Sequence, residues 1–177
     1  MTSNKFKAGD LFPVIELPIV NGEKVALGKP HSGADWQMVV VYRGKHCPMC
    51  TRYLNEIEKN KAKFLELGIS IIAVSADSQE QVNAHMAELT ASYPIAYGLT
   101  IEQMQQLGLY ISNPRSAQET DHVFAEPGLF IINEHGQLQV IDISNGPFVR
   151  PELDGLLAGL GFIRNPENNY PIRGTYE

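Results

Sequence analysis

Two hydrophobic periods alternate along the first half of the chain. Residues 38–42 and 69–74 form continuous apolar runs rich in β-branched side chains, which is typical of strands buried on both faces of a parallel sheet. Between them, apolar residues recur at a helical spacing, at Cys50, Leu54, Ile57, Phe64 and Leu65. This spacing predicts a helix from Cys47 to about Leu67, and Gly68 marks its end. The pattern therefore predicts a strand, helix, strand unit.

The flanking segments carry turn and capping residues. Asn21-Gly22 lies between two short apolar runs, at residues 17–20 and 25–27, and predicts an N-terminal β-hairpin. Asp77-Ser78 follows the second buried run and is typical of a helix start, so we expect a helix that reaches about Leu89. A second helix therefore follows the second strand.

The second half of the chain extends this order. It predicts a short strand at residues 94–97 and a short helix at residues 101–107. It then predicts an antiparallel pair of strands at residues 128–133 and 137–143, and a closing helix at residues 151–160. Strands and helices that alternate, followed by a hairpin and a helix, predict a mixed central β-sheet flanked by helices. We expect one domain over residues 1–163 and an irregular C-terminal tail over residues 164–177.

Composition and charge narrow the class of protein. The chain has 177 residues, of which 44% are hydrophobic and 19% are charged, as expected for a soluble globular domain. Its formal net charge of -6 leaves no surplus of basic residues for nonspecific nucleic-acid binding. No segment approaches the roughly 18 to 20 consecutive apolar residues of a membrane span, and residues 1–7 lack the apolar stretch of a secretory signal. We therefore expect a cytoplasmic protein with no nucleic-acid or membrane partner.

The two cysteines of the chain carry its strongest chemical pattern. They stand in Cys47-Pro48-Met49-Cys50, where a buried strand leads into the predicted helix, and Pro48 suits the first helical position. A helix N-terminus stabilises negative charge, so we expect a lowered pKa for the Cys47 thiol. Basic or titratable residues precede it at Arg43, Lys45 and His46. The spacing predicts that Cys47 attacks as a thiolate and that Cys50, one turn further along, resolves the product as a disulfide.

Three other interpretations of this pair compete with a working dithiol. A structural zinc site needs about four ligands, and the histidines at positions 31, 46, 85, 122 and 135 supply no second paired motif. Inert core cysteines fit poorly with the proline and the basic residues beside them. A permanent structural bridge is unusual in a reducing compartment. We expect no bound metal.

Residues 39–50 resemble the active-site segment of thioredoxin-fold proteins. They are most similar to the peroxiredoxin-like branch of the alkyl hydroperoxide reductase/thiol-specific antioxidant family, which carries Cys-Pro-x-Cys after an Arg-Gly, here Arg43-Gly44. Residues 127–133 resemble the same family, as do Gly136, Pro147 and Arg150, so the likeness covers about residues 8–163. The resemblance implies an α/β thioredoxin-like fold, with a mixed central β-sheet flanked by helices and an N-terminal β-hairpin extension.

The chain departs from that family where the family binds peroxide. Its members place a Thr three residues before the attacking cysteine and a Pro four residues before that Thr, where this chain has Gly44 and Val40. An Arg of the later hairpin stabilises the developing oxyanion in the family, and Pro127 stands at that position here. Such electrostatic stabilisation commonly contributes several kcal/mol to a transition state. These departures argue against a fast reaction with peroxide.

Pro127 instead stands where thioredoxins place a cis-proline opposite their cysteine pair. If the Glu126–Pro127 bond is cis, it shapes the groove in which a disulfide or thiol substrate lies. The alternative is an ordinary trans proline before an edge strand.

Three basic or titratable residues are candidates for acting on the thiolate. Arg43 and Arg150 replace the missing family cations if they converge on Cys47, and otherwise each is a surface or helix-cap charge. His46 tunes the thiolate or passes a proton, or is a partly exposed loop imidazole. We assign catalytic roles to Cys47, Cys50, Arg43 and His46, and a place in the substrate groove to Pro127 and Arg150.

The leading hypothesis is a peroxiredoxin-like antioxidant oxidoreductase. Cys47 reduces a hydroperoxide, Cys50 closes an intramolecular disulfide, and a thioredoxin- or glutathione-type thiol restores the dithiol. One alternative is a thioredoxin-like protein-disulfide reductase without efficient peroxidase activity, and another is a non-enzymatic thiol redox sensor. No Gly-rich nucleotide motif is present, so no cofactor is expected. Many relatives dimerise, and a homodimer stays open for this chain.

Overall fold

A computed structural model describes residues 6–177. Its strands are β1 (Glu16–Pro18), β2 (Lys24–Ala26), β3 (Trp36–Val41), β4 (Ile69–Val74), β5 (Ile95–Ala96), β6 (Ile111–Ser112), β7 (Phe124–Ala125), β8 (Gly128–Ile132) and β9 (Leu138–Ile143). Its helices are α1 (Pro48–Glu66), α2 (Gln79–His85), α3 (Ile101–Gln106) and α4 (Leu153–Arg164), followed by a 3₁₀ helix (Pro166–Asn168). Among the helices of residues 6–177, none combines the length and the apolar character needed to cross a membrane.

A five-stranded mixed sheet forms the centre of the molecule, in the order β5-β4-β3-β8-β9. β3 and β4 run parallel, as do β4 and β5, whereas β8 is antiparallel to both β3 and β9. Every residue of β3 and β4 is buried, which explains why both sequences are nearly continuous apolar runs. The mixed sheet flanked by helices confirms the predicted fold class.

Alternate side chains of β3 enter two separate cores. Met38 and Val40 point to the face that α1, α2 and α4 cover, and both cysteines belong to this core. Val39 and Val41 point to the opposite face, which the β1–β2 hairpin and α3 cover. The period of two along a strand thus divides one apolar run between the two faces of the sheet.

The N-terminal hairpin forms at the predicted turn. β1 and β2 pair antiparallel with Leu17 opposite Val25, and Gly22 has a φ of 91° in the turn. An isolated bridge between Ile19 and Ala96 links this hairpin to the β5 edge of the central sheet. The predicted hairpin extension is therefore present and packs on the sheet.

α2 is shorter than the sequence pattern predicts. Ser78 and Gln81 form a reciprocal capping box at its start, as the capping residues predict, but the helix ends at His85 instead of Leu89. The side chain of Asn55 on α1 donates to the Glu88 carbonyl and accepts from the Thr90 backbone N–H. A longer helix would pair the Thr90 N–H with the Met86 carbonyl, so the bond from Thr90 to Asn55 competes with an extension of α2.

α4 lies further along the chain than predicted. The Glu152 carboxylate accepts hydrogen bonds from the N–H groups of Asp154 and Gly155, so the helix begins after Pro151. At its other end Arg164 donates to the Leu67 carbonyl at 2.9 Å, a contact across the molecule that extends the helix past Leu160. The 3₁₀ helix then occupies part of the segment predicted to be irregular.

The paired strands β6 and β7 are absent from the sequence prediction. They pair antiparallel, with Ile111 opposite Ala125 and Ser112 opposite Phe124. Two residues are too few to establish an alternating hydrophobic period, so local sequence carries no signal for this pair.

Candidate active site

Cys47 and Cys50 lie at the N-terminus of α1 and are joined by a disulfide, with their Cα atoms 5.3 Å apart. Cys47 is the N-cap residue of the helix, and Pro48 occupies its first turn. The backbone N–H of Cys50 points at the Cys47 sulfur, with 3.2 Å between nitrogen and sulfur. The free N–H groups of a helix start and the helix dipole both favour negative charge at this sulfur.

Both cysteines are buried. Cys50 is 0% exposed and lies in the core between α1 and the sheet, and Cys47 is 2% exposed and is followed by the exposed residues Pro48 and Met49. The division of roles between the two cysteines stays a prediction.

Asp77 holds the loop that leads to the cysteines. Its buried carboxylate accepts the backbone N–H of Lys45 at 2.8 Å. Gly44 packs directly against it, because a Cβ at that position would lie 2.4 Å from the Asp77 Oδ1 atom. Gly44 also has a φ of 139°, a conformation that favours glycine. The Thr that the family carries here therefore has no room in this chain.

Asp77 also forms a hydrogen bond with His122. The His122 Nε2 atom lies 3.2 Å from Asp77 Oδ1 and 3.1 Å from Gln81 Oε1, and its Nδ1 atom faces the Val123 carbonyl. The bond to Asp77 raises the pKa of His122 against the opposing effect of burial. Sequence reasoning identified Asp77 only as a helix start and gave His122 no function, because residues so far apart in sequence show no shared motif.

His46 packs beside the cysteines without a hydrogen-bond partner among residues 6–177. Its ring lies 4.5 Å from the ring of Phe124, and both ring nitrogens are buried and unpaired within this part of the chain. Burial lowers the pKa of His46, and the nearby Arg43 charge lowers it further. The imidazole is therefore neutral near pH 7, and any action on the thiolate is that of a neutral proton acceptor rather than a cation.

Arg43 forms ion pairs with two carboxylates. Its Nε atom lies 3.2 Å from a carboxylate oxygen of Glu126, and its Nη2 atom lies 3.7 Å from one of Glu119. The guanidinium also covers the ring of Phe124 at 4.7 Å. No hydrogen bond joins Arg43 to Cys47 in the described part of the chain. A role for Arg43 at the Cys47 thiolate stays a prediction, and the carboxylates of Glu126 and Glu119 compete with the thiolate for its charge.

Arg150 reaches the cysteine pair, but at the other sulfur. Its Nη2 atom lies 2.9 Å from the Cys50 sulfur, and its Nη1 atom donates to the Pro147 carbonyl. The guanidinium lies over the ring of Tyr53, 5.1 Å from its centre. The prediction that Arg150 lies at the active site agrees with this position. Its action on Cys47 stays a prediction, because the contact that the structure shows is to the Cys50 sulfur.

Pro127 has a trans peptide bond, since no bond between residues 6 and 177 is cis. The expected cis geometry is therefore wrong, and the alternative of a trans proline before a strand applies. A trans X-Pro bond is favoured by about 0.5–1 kcal/mol unless the fold opposes it. Here the Pro127 carbonyl accepts a hydrogen bond from the Ser144 N–H. This bond extends the pairing of β8 and β9 by one residue, and the chain runs straight from Pro127 into β8. Pro127 still precedes Gly128, which pairs with Val41 at the end of β3.

A buried histidine, His85, contacts a half-buried threonine, Thr51, in the first turn of α1. The His85 Nε2 atom lies 2.7 Å from the Thr51 hydroxyl, and that hydroxyl in turn faces the Cys47 carbonyl at 3.4 Å. His85 is fully buried, and burial lowers its pKa, so it is a neutral hydrogen-bonding group. No sequence motif indicates this contact, because His85 and Thr51 meet only when α2 packs on α1.

An open groove of about 420 Å³ runs along α1 beside the disulfide. Tyr53 and Arg150 form its floor near the cysteines, and its rim includes the exposed side chains of Met49, Arg52 and Phe148. Neither cysteine lines this groove, and Arg150 connects it to the cysteine pair through its contact with the Cys50 sulfur. Within residues 6–177, no three His, Cys, Asp or Glu side chains are grouped so that they could hold a metal ion.

Comparison with known proteins places this geometry in context. A family model described as Redoxin matches residues 7–157. The fold is similar to peroxidoxin BcpB from Mycobacterium tuberculosis, with a TM-score of 0.73, 19% identity, and 90% of this chain and 99% of that chain covered. It is also similar to Mycobacterium bovis AhpC, with a TM-score of 0.73, 17% identity and coverage of 98% and 99%.

A cysteine-to-serine mutant of peroxiredoxin 6 from Arenicola marina has a TM-score of 0.75 and 17% identity, with 92% of this chain and 75% of that chain covered. None of the curated proteins matches the chain. At these identities the structural likeness establishes the fold, and it confirms the predicted thioredoxin-like architecture.

Proposed function

Because this chain belongs to the Redoxin family, we propose that it reduces hydroperoxides through a Cys47 thiolate and an intramolecular Cys47–Cys50 disulfide. Family membership confirms the sequence-based resemblance and the predicted enzyme class, a peroxiredoxin-like thiol oxidoreductase. The observation that carries the proposal is the disulfide at the N-terminus of α1, where the Cys50 N–H faces the Cys47 sulfur. The same helix end stabilises the thiolate before the reaction and places the second sulfur within reach after it.

The proposed cycle has three steps. The Cys47 thiolate attacks an oxygen of the hydroperoxide, the O–O bond breaks, and the alcohol leaves after taking a proton, so that Cys47 becomes a sulfenic acid. The Cys50 sulfur then attacks the Cys47 sulfur, the S–O bond breaks, and water leaves. Two thiol groups of a reductant finally supply two electrons and restore both protein thiols.

A thioredoxin-like disulfide reductase is the second candidate, and the contact between Gly44 and Asp77 favours it. That contact excludes a hydroxyl side chain at the position where the family binds peroxide. Pro127 likewise supplies no cation where the family has Arg. In this alternative, Cys47 attacks a disulfide of a protein or small molecule, and the Cys47–Cys50 disulfide forms as that substrate is reduced.

Stopped-flow mixing of the reduced protein with hydrogen peroxide or an alkyl hydroperoxide tests the first candidate. We expect the thiols to oxidise faster than a free thiol at the same pH, and we expect Cys47→Ser to abolish the reaction. Oxidation no faster than that of a free thiol, with rapid oxidation by a disulfide such as oxidised glutathione, would support the reductase instead. A fully active Cys47→Ser together with an inert Cys50→Ser would reverse the two cysteine roles.

A redox sensor is the remaining alternative, and turnover distinguishes it from an enzyme. An enzyme consumes many equivalents of substrate when a thioredoxin or glutathione system recycles it, whereas a sensor stops after about one. We propose a thioredoxin- or glutathione-type thiol as the reductant and the cytoplasm as the location, because a dithiol cycle needs a reducing supply. Sustained consumption in the recycling assay supports this proposal, and a single equivalent would contradict it.

A further inference from the structure

Arg150 is a half-buried cation that, within residues 6–177, has no carboxylate partner. Its guanidinium contacts the Pro147 carbonyl, the face of the Tyr53 ring and the Cys50 sulfur. No carboxylate of this part of the chain forms an ion pair with it, in contrast to Arg43, which has two. Withdrawing a charge partly from water without a counter-ion costs free energy, so the position of Arg150 beside a sulfur calls for an explanation.

The surroundings of Arg150 hold the guanidinium in place. The Tyr53 hydroxyl donates to the Pro151 carbonyl at 2.7 Å, which ties the loop carrying Arg150 to α1. Tyr53 is uncharged at neutral pH, and burial raises its pKa further, to about 12. Arg150 stays charged at neutral pH, although burial lowers its pKa to about 10. The Glu126 charge raises that pKa, and the Arg43 charge lowers it. In the oxidised protein this cation therefore contacts only neutral groups.

Cys50 is the group that can supply the missing anion. It is fully buried, and burial alone raises the pKa of a thiol, which would leave Cys50 protonated and slow to react. We propose that Arg150 is a catalytic residue of the second half of the cycle, where it stabilises Cys50 as a thiolate. This proposal rests on one part of the proposed function, namely that the Cys47–Cys50 disulfide forms and is then reduced.

The charge on Cys50 changes twice in each cycle. When Cys50 captures the Cys47 sulfenic acid, its thiolate supplies the electron pair for the new S–S bond. When a reductant thiolate attacks the Cys47 sulfur, that S–S bond breaks and its electron pair leaves on Cys50, so a mixed disulfide remains on Cys47. A second reductant thiol then releases Cys47. Thiol–disulfide exchange is faster when the leaving thiol has a lower pKa, so the Arg150 charge accelerates the reduction.

The first test is the pKa of Cys50 as the only thiol. The ultraviolet absorbance of the thiolate is followed against pH in Cys47→Ser and in Cys47→Ser/Arg150→Met. Because an adjacent opposite charge shifts a pKa by about 1–3 units, we expect the second protein to have a Cys50 pKa at least about one unit higher. The matched control is Cys47→Ser/Arg173→Met, since Arg173 is an exposed arginine of the C-terminal tail that stacks on Tyr170. It should leave the pKa unchanged.

Arg150→Lys distinguishes charge from packing. It keeps a cation but loses the planar group that lies on Tyr53, so its effect on the Cys50 pKa should be smaller than that of Arg150→Met. Thermal unfolding of every variant shows whether it folds. An unchanged pKa in a folded Arg150→Met protein, or equal shifts for Lys and Met, would overturn the proposal.

The second test compares the two halves of the cycle. Reduction of the disulfide by dithiothreitol should slow by about threefold or more in Arg150→Met and stay unchanged in Arg173→Met. In a Cys50→Ser background, oxidation of Cys47 by its substrate should change by less than about twofold on Arg150→Met, because the proposed effect runs through Cys50. If Arg150→Met slowed the oxidation of Cys47 as much as it slowed the reduction of the disulfide, Arg150 would act on Cys47 and the proposal would be overturned. The titration and the dithiothreitol assay need no peroxide, so they decide this question even if peroxidase activity is absent.

Discussion

At the scale of single residues, Gly44 determines how the loop before the cysteines is built. It has a positive φ and lies against the buried Asp77 carboxylate, which also holds the Lys45 N–H. Two constraints, conformation and space, therefore act on one position. This combination accounts for the departure from the family pattern that the sequence showed but could not explain.

Gly44→Ala should destabilise the protein more than a substitution at an unconstrained glycine. Gly22→Ala is the matched control, because Gly22 also has a positive φ but a Cβ added there would meet no heavy atom of residues 6–177 within 4 Å. Strain and the clash with Asp77 together should cost about 2 kcal/mol more than the strain at Gly22. Urea unfolding measures the difference in free energy. Equal losses at the two sites would show that Asp77 moves aside freely.

The hydrogen bond between His122 and Asp77 makes stability depend on pH. Because the pKa of His122 is raised in the folded protein, its contribution is fully present below the unfolded pKa and is lost as pH rises through the folded pKa. His122→Gln should therefore destabilise the protein more in mildly acidic than in mildly alkaline buffer, as measured by urea unfolding. In an Asp77→Asn background this pH-dependent difference should disappear. If it persists there, Asp77 is not the cause of the raised pKa.

At the scale of elements, α1 is capped by the side chain that carries the chemistry. Cys47 accepts the Cys50 N–H as the N-cap of the helix, a role that Ser usually fills in proteins and Ala cannot. One sulfur thus both starts the helix and reacts. The helix start and the site are therefore coupled.

Cys47→Ala should be less stable than Cys47→Ser by about 1 kcal/mol, because only Ser preserves a capping acceptor. Both variants lack the disulfide, so the difference between their free energies of unfolding isolates the cap. Chemical unfolding under reducing conditions measures it. Equal stabilities would mean that solvent satisfies the N–H groups of the first turn as well as the side chain does.

The limits of the other helices show what local sequence can predict. The start of α2 follows from Ser78 and Gln81, which are close in sequence and cap the helix themselves. Its end depends on Asn55, which comes from another helix. The start of this helix was therefore more predictable than its end.

At the scale of the whole molecule, Arg164 joins the C-terminal helix to the end of α1 and the start of β3. It donates to the Leu67 carbonyl after α1, lies 2.6 Å from the Asp35 carboxylate, and covers the ring of Trp36 at the start of β3. These contacts lie at the opposite end of β3 and α1 from the cysteines. Arg164 therefore serves the assembly of the fold.

Arg164→Met should lower the free energy of unfolding by about 1–2 kcal/mol, because it removes a charge-assisted hydrogen bond and the bond to Leu67. The thiolate titration of Cys47 in a Cys50→Ser background should stay unchanged. Arg173→Met is the control, since Arg173 lies in the exposed tail and stacks on Tyr170. A loss of stability in the control equal to that of Arg164→Met would contradict the role of the tertiary contacts.

The sequence by itself determined the features whose physical cause is local. A continuous apolar run specifies a doubly buried strand, helical spacing specifies α1, and Cys-Pro-x-Cys at their junction places two sulfurs one turn apart. The fold class, the hairpin and the cysteine pair were therefore predictable. The alternation of strand and helix also placed the pair at the end of β3.

Only the tertiary structure decided which charges act on which sulfur. Arg43 and Arg150 are both basic residues near the site, yet Arg43 pairs with Glu119 and Glu126 while Arg150 reaches Cys50. Electrostatic interactions depend on distance and burial after packing, and residues far apart in sequence acquire both only when the chain folds. The same reason explains why Asp77, as the partner of the active-site loop, became visible only in the structure.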